Sequence, residues 1–68
     1  MVDLPIAAVI RIAKKNGAER IGKEAAASII VKTEAYIANL TREAHILANH
    51  AGRKTIRKED VDLAVQST

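Results

Sequence analysis

The side chains from which a metal or redox centre could be built are few. There are two histidines, one tyrosine and no cysteine. His45 and His50 stand five residues apart, about 140° round a helix, so one helical face cannot present both to one ion. Without thiolates, and with no third ligand evident, a zinc site is not expected. Tyr36 has no neighbouring base, and Ser28 and Thr41 have no histidine–carboxylate arrangement beside them. No constellation for nucleophilic or acid–base catalysis is present. The expectation is a protein that is not an enzyme, with no catalytic residue, metal, cofactor or small-molecule substrate.

The chemistry lies instead in the cations. The net charge is only +3, but it is unevenly placed. Residues 11–23 hold Arg11, Lys14, Lys15, Arg20 and Lys23 against Glu19 alone. Residues 53–58 hold Arg53, Lys54, Arg57 and Lys58 with no acid. The stretch between them is nearly neutral, and the C-terminal residues carry Glu59, Asp60 and Asp62. Two short basic blocks flanking a long neutral middle point to an anionic partner, with nucleic acid the first candidate.

Three helices must position these blocks. Breakers are few: Pro5, Gly17, Gly22 and Gly52. Asp3 or Leu4 can start a first helix, with Pro5 in its first turn, where a missing N–H is harmless. Ile6, Val9, Ile10 and Ala13 then recur with helical spacing. The expected helices cover about 4–16, 22–50 and 58–66, joined by basic loops at 17–21 and 52–57. Each loop carries an isoleucine, Ile21 or Ile56, suited to a very short strand. The whole of residues 1–68 reads as one domain, all-α in class.

The middle helix is too long for its own chain. At 1.5 Å per residue it runs ~43 Å, about twice the width of a compact globule of this size. Nearly half of the residues are hydrophobic, but many of these are alanines, and Tyr36 is the sole aromatic. So small a domain is marginal alone, and disulfides are excluded. Oligomerisation is the remaining source of core. A candidate buried stripe runs Ile21, Ala25, Ile29, position 32 or 33, Tyr36, Leu40, Ala44 and Leu47, with the flanking Ile30, Val31 and Ile37 covered by the outer helices. Its period of about 3.7 residues favours straight crossing rods over a left-handed coiled coil, which needs about 3.5. Lys32 and Thr33 interrupt it at the centre. Lys32 can keep its ammonium wet, and Thr33 can bond back to a carbonyl one turn earlier. No stretch approaches a membrane span. No export leader is evident, and the lack of Cys fits a reducing interior.

Specific segments carry a resemblance. Leu-Pro-Ile-Ala at 4–7, Gly-Ala-Glu-Arg-Ile at 17–21, His-Ala-Gly-Arg-Lys-Thr-Ile at 50–56 and Glu-Asp-Val at 59–61 are similar, end to end and in register, to the small archaeal histones. The resemblance implies the histone fold and an intertwined handshake dimer in which the long helices cross. Ile29, Tyr36 and Leu40 would lie in the dimer core. Each first loop would pair with the partner's second loop, so that two distant basic blocks form one edge. It also implies sequence-nonspecific binding of double-stranded DNA, which the dimer bends, wraps and compacts. The cellular setting would be cytoplasmic and nucleoid-associated.

By the same resemblance, Arg20 would enter the minor groove, Arg11 would face DNA near the dimer centre, and Lys54 and Thr55 would hold phosphates. Lys14, Lys15, Lys23, Arg57 and Lys58 would add charge. The N-termini of the first helices would offer a further phosphate contact. Arg53 and Asp60 would form a salt bridge bracing the second loop. Leu47 and His50 would join dimers into tetramers or longer stacks, His50 reaching Asp60 of the neighbouring dimer, while His45 would be an exposed polar residue. Partner chains would be the protein itself or a related histone. Some positions depart from the family pattern: Ala8 and Ile10 replace frequent Pro and Gly, Gly22-Lys23 replaces a Ser-Asp type of helix start, and Lys32 and Thr33 stand where apolar residues are usual. A second function, a histone-fold dimerisation module in a transcription-related complex, would not need Arg11, Arg20, Lys54 and Thr55 together.

Overall fold

The structure, a computed structural model, describes residues 4–67. It holds three helices, α1 (Ile6–Lys15), α2 (Lys23–His50) and α3 (Lys58–Ser67), with no strand among the described residues. Asp3, one expected start of α1, and Thr68 lie outside those residues. Pro5 is the residue before α1 rather than part of its first turn. Its backbone is extended, and its carbonyl accepts the Val9 N–H at 3.3 Å. Gly22 plays the same part for α2, accepting from Ala26 at 3.0 Å. Ile21 and Ile56 are half-buried loop residues.

Both basic loops begin with the same stop. At the end of α1 the Ala18 N–H donates to the Ala13 carbonyl (3.1 Å), and the Gly17 N–H donates to Lys14 (3.3 Å). At the end of α2 the Arg53 N–H donates to Ala48 (2.9 Å), and the Gly52 N–H donates to Asn49 (2.9 Å). This is the Schellman arrangement, which satisfies carbonyls that the helix end leaves open. It requires a left-handed residue at the turn. Gly17 has φ +108° and Gly52 φ +75°. A Cβ at either glycine would meet no atom within 4 Å, so the constraint is the backbone conformation itself. Asn16 adds a side-chain bond to the Ile12 carbonyl at 2.8 Å.

The chain divides into two compact units, residues 1–35 and 36–68. In the first, Ala26 and Ile30 of α2 are fully buried, and α1 buries no residue completely. An apolar groove remains there, lined by Leu4, Pro5, Ala8, Val9, Ile12, Ala13, Asn16, Ile29 and Thr33. In the second unit, Ala44, Ala48, Ala64 and Asp60 are buried.

In each unit the buried positions of α2 are a pair spaced i, i+4, Ala26 with Ile30 and Ala44 with Ala48. Ala44, expected on the partner-facing stripe, is buried within its own chain at 1% exposure. Ile29 and Tyr36 remain 42% and 50% exposed, and Leu40 is half-buried. Val31 and Ile37, expected beneath the short helices, are also exposed. Three of the four buried positions are alanines, which let a neighbouring helix approach closely, and Ile30 is the one larger side chain among them.

Ile30 is the largest fully buried side chain. Ile30→Ala should destabilise the protein by about 2–5 kcal/mol, the usual range for such a core truncation. The exposed Val31→Thr should change stability by less than about 0.5 kcal/mol. Urea unfolding followed by circular dichroism compares the two.

Candidate nucleic-acid interface

The first block is presented by α1, its loop and the start of α2. Arg11, Lys14 and Lys15 are exposed along α1, Arg20 is exposed in the loop, and Lys23 is the exposed first residue of α2. Lys14 and Arg20 line one shallow recess with Ile10, Glu19, Ile21 and Gly22. None of these five cations enters an ion pair among the described residues. Ile10 and Ile21 are half-buried there, while Lys14 and Arg20 are exposed. A surface of this kind suits a polyanion held by its backbone.

The second block is organised differently, because half of it is neutralised within the chain. Arg53 makes a two-pronged bond to Asp60, Nη1 to Oδ2 at 2.8 Å and Nη2 to Oδ1 at 3.0 Å. The same Oδ2 accepts the Arg57 backbone N–H at 2.9 Å. Arg57 stands immediately before α3, so Asp60 caps that helix from its third position, one half of a capping box. Arg53 Nη1 also donates to the Thr55 carbonyl at 3.3 Å. The loop is therefore tied to α3 at both ends. Asp60 is only 3% exposed, and the Arg53 hydrogen bonds and the Arg57 N–H hold its carboxyl down at about 2. Lys58 pairs with Asp62 at 2.8 Å, an exposed i, i+4 contact, and its pKa is raised by that bond. Lys54 and Arg57 form no ion pair among the described residues. Lys54 and Thr55 are exposed.

Arg53 and Asp60 are thus brought together, and Lys58 is bound to Asp62. Leu47 is half-buried, and His50 is the exposed last residue of α2. His45 is exposed and shares a hydrogen bond with the Asn49 amide at 3.2 Å. Thr33 donates to the Ile29 carbonyl at 2.7 Å, so its hydroxyl is satisfied locally. One contact is not legible in the sequence: Glu34 accepts the Leu4 N–H at 3.1 Å. The two residues are thirty apart, and no local spacing signals them. Among the described residues no group of His, Cys, Asp or Glu could hold a metal ion.

Residues 2–65 match the family model described as histone-like transcription factor (CBF/NF-Y) and archaeal histone. The chain belongs to this histone-fold family. It is 43% identical over 67 residues to one of the subunits of the archaeal histone HAN1 of Thermococcus zilligii, covering 98% of this chain and all of that one. It is 38% identical over 66 residues to probable archaeal histone 3 of Methanocaldococcus jannaschii, covering 97% of this chain and 98% of the relative. It is also 34% identical over 68 residues to DNA polymerase epsilon subunit 4 of Drosophila melanogaster, of which it spans 44%. The order of short, long and short helix is that of the histone fold.

For this histone-fold chain the Asp60 contacts set a pH dependence. A carboxyl ordinarily near 3.8 is held at about 2 in the folded state, so the unfolded chain binds its proton first as pH falls. The stabilisation is complete above the unfolded value and is lost as pH drops through about 2. Asp60→Asn should lower the thermal midpoint at neutral pH and flatten its fall between pH 4 and pH 2. A variant with the wild-type pH slope would contradict this assignment.

Proposed function

We propose that this chain is an architectural DNA-binding protein which, as a handshake dimer, bends and wraps duplex DNA without reading its sequence. The observation that carries the reading is the state of the charges. Arg11, Lys14, Lys15, Arg20 and Lys23 of the first block, and Lys54 and Arg57 of the second, stand outside ion pairs among the described residues, on the two loops and the helix ends that flank them. Arg53 is drawn inward as a brace. In the proposed dimer each first loop meets the partner's second loop, joining Arg20 to Lys54 and Thr55 on one edge. Arg20 and Arg11 serve the inward-facing minor groove, whose potential attracts arginine. Lys54 and Thr55 take phosphates. Such contacts follow backbone charge and DNA deformability, as in nucleosomal DNA. The protein would then reside on the chromosome, in the cytoplasm.

Dimers would join through Leu47 and His50 into tetramers or longer stacks. Asp60 has limited capacity for this. Its Oδ2 already accepts two bonds and its Oδ1 one. A neighbour's His50 would have to reach the remaining acceptor position on Oδ1, at a nearly buried side chain.

A second reading is assembly alone, as a histone-fold partner in a multisubunit complex. The likeness to a DNA polymerase epsilon subunit favours it. Titration of mixed-sequence duplex DNA across a salt series separates the two. The DNA reading predicts a steep log-linear loss of affinity with salt and little sequence preference. Arg11→Ala with Arg20→Ala should weaken binding on every sequence and reduce the salt slope by about one per contact removed. No binding at low salt would overturn it.

A further inference from the structure

We infer that Lys32 selects the partner: the groove beside it fits a second histone-fold chain that carries a carboxylate opposite Lys32 better than it fits another copy of this chain. The inference rests on the handshake-dimer reading and adds to it the chemistry of the partner helix.

The apolar groove of the first unit is lined on α2 by Ile29 and Thr33. Lys32 is exposed and adjoins both: it neighbours Thr33 and stands about 60° round α2 from Ile29. Thr33 presents little polarity there, because its hydroxyl is turned onto the Ile29 carbonyl. Lys32 is therefore the one charged residue on this stretch of α2 between Ile29 and Thr33. The residues three and four positions away along α2 are Ser28, Ile29, Ala35 and Tyr36, so no carboxylate of its own helix faces it.

A twofold dimer makes this cation a problem for self-pairing. In an isologous interface the residues near the axis meet their own copies. With α2 running from Lys23 to His50, its midpoint lies between Tyr36 and Ile37. Lys32 is about one helical turn from that point, within ~7 Å along the axis. Two copies would bring two ammonium groups toward one apolar seam, where screening by water is reduced. A chain with a carboxylate there would replace repulsion by attraction while keeping the apolar contact around it. Specificity commonly arises in this way, through what an interface rejects as well as what it accepts.

The test uses a Lys32→Glu variant of this chain as the acidic partner. Isotopically distinguished wild type and Lys32→Glu are mixed, equilibrated near neutral pH at low salt, and the dimers are weighed by native mass spectrometry. At equimolar mixing the ratio of mixed dimer to the geometric mean of the two homodimers should exceed its statistical value of about two by at least about threefold, and the excess should shrink at high salt. Lys32→Leu, which removes the charge without reversing it, should self-associate more tightly than wild type and melt higher. Dimers in random proportion, or a Lys32→Leu protein that self-associates no better, would overturn the partner assignment alone. If all three proteins, Lys32→Leu included, stay monomeric at every concentration, the dimer reading itself has failed, and this inference with it.

Discussion

Apart from Ile30, most of the large apolar side chains of α2 are left exposed by the rest of their own chain. In each unit the short helix settles on a part of α2 rich in alanine, where the backbone can be approached closely. Ala26 and Ile30 disappear in the first unit, and Ala44 and Ala48 in the second. Ile29 and Tyr36 are left about half exposed. Area removed from water is the main driving force of folding, at roughly 25 cal/mol per Å². A chain of 68 residues has little of it to leave unused. The groove of the first unit is apolar surface that the chain itself leaves uncovered.

The two loops begin with one shared device. Each leaves its helix through a glycine in the left-handed region, so its direction is set before any side chain acts. The second loop is then locked by one carboxylate, Asp60, that serves Arg53 and the start of α3 together. A buried ion pair of this kind is weak evidence for stability, since desolvation offsets much of its attraction. Its value here is geometric. With Arg53 turned inward, Lys54 and Thr55 are left at the surface on a fixed backbone. Among the described residues the first loop has no such brace, and its Arg20 lines a recess with Lys14, Ile10 and Ile21.

Much of this is legible in the residues. Gly17 and Gly52 mark the helix ends because only glycine tolerates that backbone turn cheaply, and the boundaries read from them lie within two residues of the observed ones. Arg53 and Asp60 follow from likeness to the histones, and their spacing alone does not choose between a brace and a DNA contact. The expected stripe misplaces Ala44 because an alanine gives the same apolar signal on either face of a helix, and only the packing of the short helices decides which face is covered. Glu34 gives no signal at all, since its bond to the Leu4 N–H joins residues thirty apart without any periodic pattern. Lys58 reads as a free surface charge, and only the fold shows its contact with Asp62.

The central claim is that the two basic loops act together on one curved DNA path. Topology measures that claim most directly. Closed circular DNA relaxed by a topoisomerase in the presence of increasing protein should retain a change in linking number after the protein is removed, growing with protein loading until the DNA is saturated. DNA that is saturated with protein yet shows no change in linking number would contradict the claim.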